Sequence, residues 1–306
     1  MRIVFFGSPE FAVPALELLA GRYDIALVVA QPDRPAGRGL KIHAPAVAEK
    51  AKALGLPLIQ PAKIRTNEFL SAIAAVQPDI GIVIAYGRIL PGSLLAIPSR
   101  GFLNVHGSIL PKYRGAAPIQ RAIEAGEDTT GVTIMRLDEE LDHGPVLAIE
   151  AIGIGPDERA PALAHRLSRL GAATLLQVLG DIERGTARET PQDHGQARFA
   201  PKLEREEGRV DWSVPAQRIY DRFRAFDPWP GLFIDCRGET LKLIEIAPAA
   251  ASGGPGMVLS IAADGVVIGA GHGAIRIATM QRPGRTKQPA AEVARGLGWA
   301  TGAAVP

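Results

Sequence analysis

Two polar residues interrupt an apolar run two positions apart. In the stretch FLNVH, Asn104 and His106 share one face of an extended strand, because side chains alternate along it. A carboxamide donates hydrogen bonds to a developing oxyanion. An imidazole donates, accepts or exchanges a proton near neutral pH, its reference pKa being about 6.5. Downstream, Asp138, Glu139, Glu140 and Asp142 lie in a loop between two further apolar runs. Asp142, beside the His143 and Gly144 turn, is the carboxylate singled out to orient and charge an imidazole. The competing reading is a satisfied polar pair near a sheet edge and a solvated acidic turn.

The segment GSILPKYRGAAPIQ after His106 carries restricted backbone. Pro111 and Gly115 fix its path, Gly107 permits close approach to a ligand, and Lys112 and Arg114 are expected as cations at its tip. Such a loop needs a scaffold. Short β-branched or aromatic runs at 2–6, 25–30, 80–86 and 102–106 alternate with helical spacing at 10–20 and 45–55. That is the signature of βαβ units, so the fold class is α/β with a mostly parallel, Rossmann-like sheet. Ligands of such sheets sit beyond the carboxyl ends of the strands, where Asn104 and His106 fall. GVTIMRL and VLAIEAI read as an added hairpin, and a helix is expected near Pro161–Leu179. Residues 181–208, polar and rich in breakers, read as a linker between a domain at 1–180 and one at 209–306. The second has a helical stretch, AQRIYDRFRAF, and five short strands separated by Gly and Pro, which suggest a small OB-like β-barrel.

Composition narrows the class. The chain has 306 residues, 47% hydrophobic and 22% charged, enough for more than one packed core. Lys and Arg number 34 against 32 Asp and Glu, so a polyanion would have to meet a local patch. The single Cys236 excludes an intrachain disulfide and a Cys-rich zinc site; it reads as a buried structural thiol, and no metal is expected. The first apolar run is broken at Gly7 and Pro9, too short for a secretory or spanning segment, so a cytoplasmic location is expected.

The block NVHGSILPKYRGAAPIQRAIEAGEDTTGVTIMRLDEELDHG resembles the signature of the methionyl-tRNA formyltransferases, within the wider folate-dependent formyltransferases. FFGSPEFAVPALELL, QPDRPAGRGLKI, VIAYGRILP, VDWSVPA and FRAFDPWPG extend the resemblance along the chain. It implies transfer of a formyl group from 10-formyltetrahydrofolate to the α-amino group of methionine on initiator tRNA. That transfer would be direct, without a covalent enzyme intermediate, by a protein expected to be a monomer. It makes Asn104, His106 and Asp142 a catalytic trio. Val83, Arg88, Ile89, Leu90, Ser108, Ile109, Leu110, Pro111 and Leu137 are implied as the folate pocket. For tRNA it implies Arg34, Arg38 and Lys41 of the basic loop, and the second domain. To these the charge pattern adds Lys112, Arg114 and the cluster Arg282, Arg285 and Lys287.

Ile109 stands where that family usually has leucine, which changes little, and two further positions depart from its pattern: Glu140 stands where a glycine is expected, and His143 where a small hydroxyl residue is expected. Both bear on the shape of the acidic loop. Formyltransferases acting on glycinamide ribonucleotide share the trio but lack the PDRPAGRG loop and a second domain, and those acting on amino sugars do not account for FDPWPG. A nicotinamide oxidoreductase would need G-x-G-x-x-G in the first strand-to-helix turn, which reads FGSPEF. A non-catalytic RNA-binding protein would leave the trio without purpose.

Overall fold

The structure, a computed structural model, describes residues 1–36 and 41–305. It divides into two units: Met1–Pro118 with Thr129–Gly153 and Leu163–Pro201, and Ile119–Asp128 with Ile154–Ala162 and Lys202–Pro306.

The strands of the first unit are β1 (Arg2–Gly7), β2 (Asp24–Val29), β3 (Arg34–Ala36), β4 (Lys41–His43), β5 (Leu58–Ile59), β6 (Ile80–Ile84), β7 (Phe102–His106), β8 (Arg114–Gly115), β9 (Thr129–Arg136), β10 (Val146–Gly153) and β11 (Phe199–Ala200). Seven form one sheet in the order β10-β9-β7-β6-β1-β2-β5. The five from β5 to β7 run parallel, and the β9–β10 hairpin adds an antiparallel edge. The order reverses between β1 and β6, which makes the crevice past their carboxyl ends the switch point where such sheets hold ligands.

Continuous apolar runs form the central strands because both faces of a parallel sheet are covered. Ile3 and Phe5 of β1 join one core with Leu16, Ile82, Leu103 and Leu175. Val4 and Phe6 join the other with Phe69, Val83, Tyr86 and Phe102. On that second face Phe6 meets Tyr86 and Phe102 edge-on, ring centres 5.3 and 5.6 Å apart. Gly81 is required beneath them, since a Cβ there would lie 2.2 Å from the Phe102 ring. The first unit's helices are α1 (Val13–Ala20), α2 (Ala46–Ala53), α3 (Asn67–Ala75), α4 (Gly92–Leu95) and, from Leu163 on, α6 (Ala160–Arg184), whereas α5 (Pro118–Glu124) falls almost wholly in the second unit's Ile119–Asp128 segment. Among the described residues no helix is long and apolar enough to cross a membrane.

In the second unit α7 (Ala216–Ala225) precedes β12 (Leu232–Cys236), β13 (Glu239–Ala249), β14 (Val258–Ala262), β15 (Gly265–Gly269), β16 (Ala274–Gln281) and β17 (Lys287–Pro289), followed by α8 (Ala290–Gly296). The five anticipated strands are all present and pair antiparallel in the order β12-β13-β16-β15-β14, with β17 as a sixth beside β16. The two short segments borrowed from earlier in the chain are tied in by charge. Arg121 forks onto both oxygens of Glu207 at 2.5 and 2.9 Å, and Arg224 donates to the carbonyls of Gly155 and Glu158 at 3.2 and 3.1 Å.

Candidate active site

Asn104 and His106 lie on β7 between β6 and β9, opposite Met135 and Thr133 of β9, and only 8% and 5% exposed. His106 Nε2 is 2.9 Å from the carbonyl oxygen of Tyr113. A carbonyl only accepts, so this partner assigns the hydrogen to Nε2. The neutral ring is then bare at Nδ1, which faces Asp142 Oδ2 at 3.6 Å. That separation is too long for a hydrogen bond and short enough for strong charge attraction. The arrangement sets a ring nitrogen with a free lone pair opposite a carboxylate oxygen.

The loop after His106 is pinned to β9 by Thr133, whose hydroxyl donates to Ser108 O at 2.7 Å and accepts from the Leu110 N–H at 3.1 Å. Asp142 is held more elaborately. Its φ of +48° is left-handed, a conformation that aspartate tolerates better than most residues. Gly115 N–H donates to Asp142 Oδ2 at 2.8 Å. Gln192 donates to the carbonyls of Asp142 and Gly144 at 3.0 and 2.8 Å. The Gln192 oxygen accepts from Arg114 Nε and Nη2 at 3.2 and 2.7 Å, and Nη2 also donates to His194 Nδ1 at 2.9 Å. The His194 ring stacks on His143, centres 3.9 Å apart and planes 5° from parallel, while His143 Nδ1 reaches Asp138 at 2.7 Å. The two departures flagged above thus meet here: His143 fills a stacking position, and Glu140 N–H closes a turn on Asp138.

Gln192 and His194 lie within residues 181–208, read as a linker. That segment instead pairs Thr190 with Val146 of β10 and Phe199 with Arg114 of β8, and it supplies the clamp on Asp142. The Tyr113 carbonyl and Thr133 likewise escaped the sequence reading.

Of the residues expected at the folate pocket, Val83, Leu90 and Leu110 are buried, the first two within the Phe6 core. Ile89 is 66% exposed, and Ile109, Pro111 and Leu137 are partly exposed. Arg88 is built into the loop: it donates to Gln31 Oε1 at 3.2 Å and to Ala62 O at 2.9 Å, while Gln31 donates to Tyr86 O. Beneath it burial pushes the Tyr86 phenol above its usual range. Ser108 needs correction. Its side chain is fully buried and its hydroxyl donates to Lys112 O at 2.7 Å, which closes the loop on itself rather than offering a group to a ligand.

Arg114 also needs correction. Expected at the loop tip, it is 5% exposed, because β8 pairs with β11 and turns the guanidinium inward onto Gln192. Lys112 is exposed. Arg34 is exposed on the β3–β4 hairpin and reaches Gln31 at 3.4 Å. Arg38 and the side chain of Lys41 lie outside the described residues. In the second unit Arg285 and Lys287 are exposed, whereas Arg282 is paired at 2.6 and 2.8 Å with Glu239, whose carboxyl it holds below the usual range. The stretch from Arg282 to Lys287 is thus less cationic than its own letters suggest.

With this geometry in view, the chain belongs to the formyl transferase family: residues 1–179 match the formyl transferase domain and 202–298 the formyl transferase C-terminal domain. It is 47% identical over 302 residues, 99% of this chain and 98% of the relative, to the methionyl-tRNA formyltransferase of Thermus thermophilus. Two solved structures share the fold. HypX from Aquifex aeolicus, in complex with tetrahydrofolic acid, superposes with a TM-score of 0.64 at 24% identity, over 97% of this chain and 47% of HypX. WlaRD, a sugar 3N-formyl transferase, superposes at 0.69 and 17% identity, over 94% of this chain and 99% of its own.

Proposed function

We propose that this chain transfers the formyl group of 10-formyltetrahydrofolate to the α-amino group of methionine on initiator tRNA, as a monomer in the cytoplasm. The observation that carries the reading is His106, held at Nε2 by the Tyr113 carbonyl and turned at Nδ1 towards Asp142. Folate supplies the formyl carbon when bound. As the amine nitrogen forms its bond to that carbon, His106 Nδ1 receives the proton the amine must lose, and Asp142 offsets the charge that appears on the ring. Asn104, on the same face of β7, donates to the oxygen that becomes negative. His106 then returns its proton to the departing nitrogen as the bond to the old carrier breaks, so the ring ends as it began.

In this reading residues 1–180 carry the chemistry, residues 209–306 form a barrel that holds the tRNA body, and Arg38 of the basic loop engages the acceptor end. The full-length relatedness to the Thermus thermophilus enzyme favours this acceptor over a small amine. The test offers methionyl initiator tRNA, methionyl elongator tRNA and glycinamide ribonucleotide in parallel with 10-formyltetrahydrofolate. Turnover on the first alone is expected. Turnover only on glycinamide ribonucleotide would keep the chemistry and overturn the assignment of loop and second domain.

A further inference from the structure

We infer that Gln192 is a positioning residue for the Asp142 carboxylate, acting through the loop backbone and through Arg114; the inference rests on the function proposed above. The amide of Gln192 is 7% exposed and uses its full bonding capacity: two hydrogens on two carbonyls, and one oxygen accepting from two guanidinium nitrogens. Both of its halves converge on Asp142. The hydrogens grip the Asp142 and Gly144 carbonyls, in the turn that follows the left-handed Asp142. The oxygen grips Arg114, whose neighbour Gly115 donates to Asp142 Oδ2. One side chain therefore sets both the backbone that carries the carboxylate and the N–H that aims it at His106.

Attachment of the segment to the sheet does not account for these bonds. Thr190 and Val146 already exchange two backbone hydrogen bonds at 2.8 Å, and Glu189 pairs with Arg136 at 2.8 Å. The four bonds of Gln192 go to the Asp142 loop and its supporting arginine. His194, stacked on His143, accepts from the same Arg114 Nη2 that bonds Gln192 and so braces the arginine at that nitrogen.

The test is a double-mutant cycle on formyl transfer to methionyl initiator tRNA. Gln192→Leu is expected to lower kcat roughly tenfold, the scale of a lost buried hydrogen-bond set, with both KM values within about twofold. In an Asp142→Asn background, followed in long incubations, the same change is expected to have less than about a twofold effect, because the group it positions has lost its charge. Gln192→Glu guards against a folding defect: it keeps the acceptor for Arg114 and removes both donors to the loop. With an unchanged Tm, it should show a kcat loss like that of the leucine variant. An equal fall of kcat in both backgrounds, or full kcat in a folded Gln192→Glu protein, would overturn the inference. A wild-type protein inactive on every formyl acceptor would instead overturn the proposed function itself.

Discussion

Asp142→Asn separates charge from shape at the centre of the site. Asparagine has the same outline and tolerates the left-handed φ of +48° as well as aspartate, so the turn persists. Its oxygen can still accept from Gly115 N–H, and Gln192 binds only the main chain of this loop. What disappears is a negative charge 3.6 Å from His106 Nδ1. At that distance two unit charges attract by about 4–5 kcal/mol at an effective dielectric of 20 and about 1 kcal/mol in water. The His106 and Asp142 side chains are 6% and 12% exposed, which places the pair nearer the first figure. A loss of about 2–4 kcal/mol from the step that protonates His106 corresponds to roughly 30-fold to 10³-fold in kcat. The assay is the rate of formylmethionyl-tRNA formation at saturating folate and tRNA, with thermal unfolding run alongside. A kcat within about threefold of wild type, at unchanged Tm, would remove Asp142 from the proton relay and refute the electrostatic argument.

Three further outcomes are expected. Arg114→Met leaves the buried Gln192 oxygen without its donors, which costs about 1–3 kcal/mol of stability and lowers kcat while the salt dependence of the tRNA KM stays the same; a shallower salt slope would return Arg114 to the phosphate contacts. Arg38→Ala raises the tRNA KM and spares the folate KM, and equal losses in both would make the basic loop a structural element. Glu207→Gln tests linkage in the second unit. The hydrogen bonds from Arg121 hold the Glu207 carboxyl below the usual range, so its contribution is present above the unfolded value of about 4.3 and fades as pH falls through the folded one. The Tm gap between wild type and variant should therefore be full at pH 7 and close on acidification; a gap constant with pH would exclude the ion pair as its source.

The parts of this protein that were legible in its letters are those decided locally. Strands β1, β6 and β7 read clearly because a strand covered on both faces leaves an uninterrupted apolar run, and Asn104 and His106 stand out against that background. Helix α3 was passed over even though Thr66, which caps it by accepting from the Phe69 N–H, is a local signal. Gln192 carried no such signal: in sequence it is one polar residue among breakers, and its partners lie 48 to 78 positions away. Arg114 misled for a related reason. A cation in a Gly- and Pro-rich loop resembles a surface contact, and only its pairing with a distant strand, next to Tyr113 at φ +64°, turns it inside. Asn104 and His106 on their strand, and Asp142 beside its turn, could be singled out from local letters, whereas the places of Gln192 and Arg114 follow from loop-to-loop pairing that no local letter announces.

The discontinuous make-up of the second unit has a consequence during synthesis. Arg121 and Glu124 leave the ribosome early, but Glu207, α7 and the antiparallel sheet follow much later, and its last strand, β17, ends roughly 160 residues after Asp128. At a translation rate of 5–20 residues per second, that strand lags by about 8–32 s. For most of that interval the Ile119–Asp128 and Ile154–Ala162 stretches have no sheet to join. The first unit's parallel core can assemble behind them, while the second can close only once the last strands are released. Once Ala162 is made, the nascent protein thus carries two open ends of a later structure until the sheet of the second unit is released, and a pause after Pro201 prolongs that exposure.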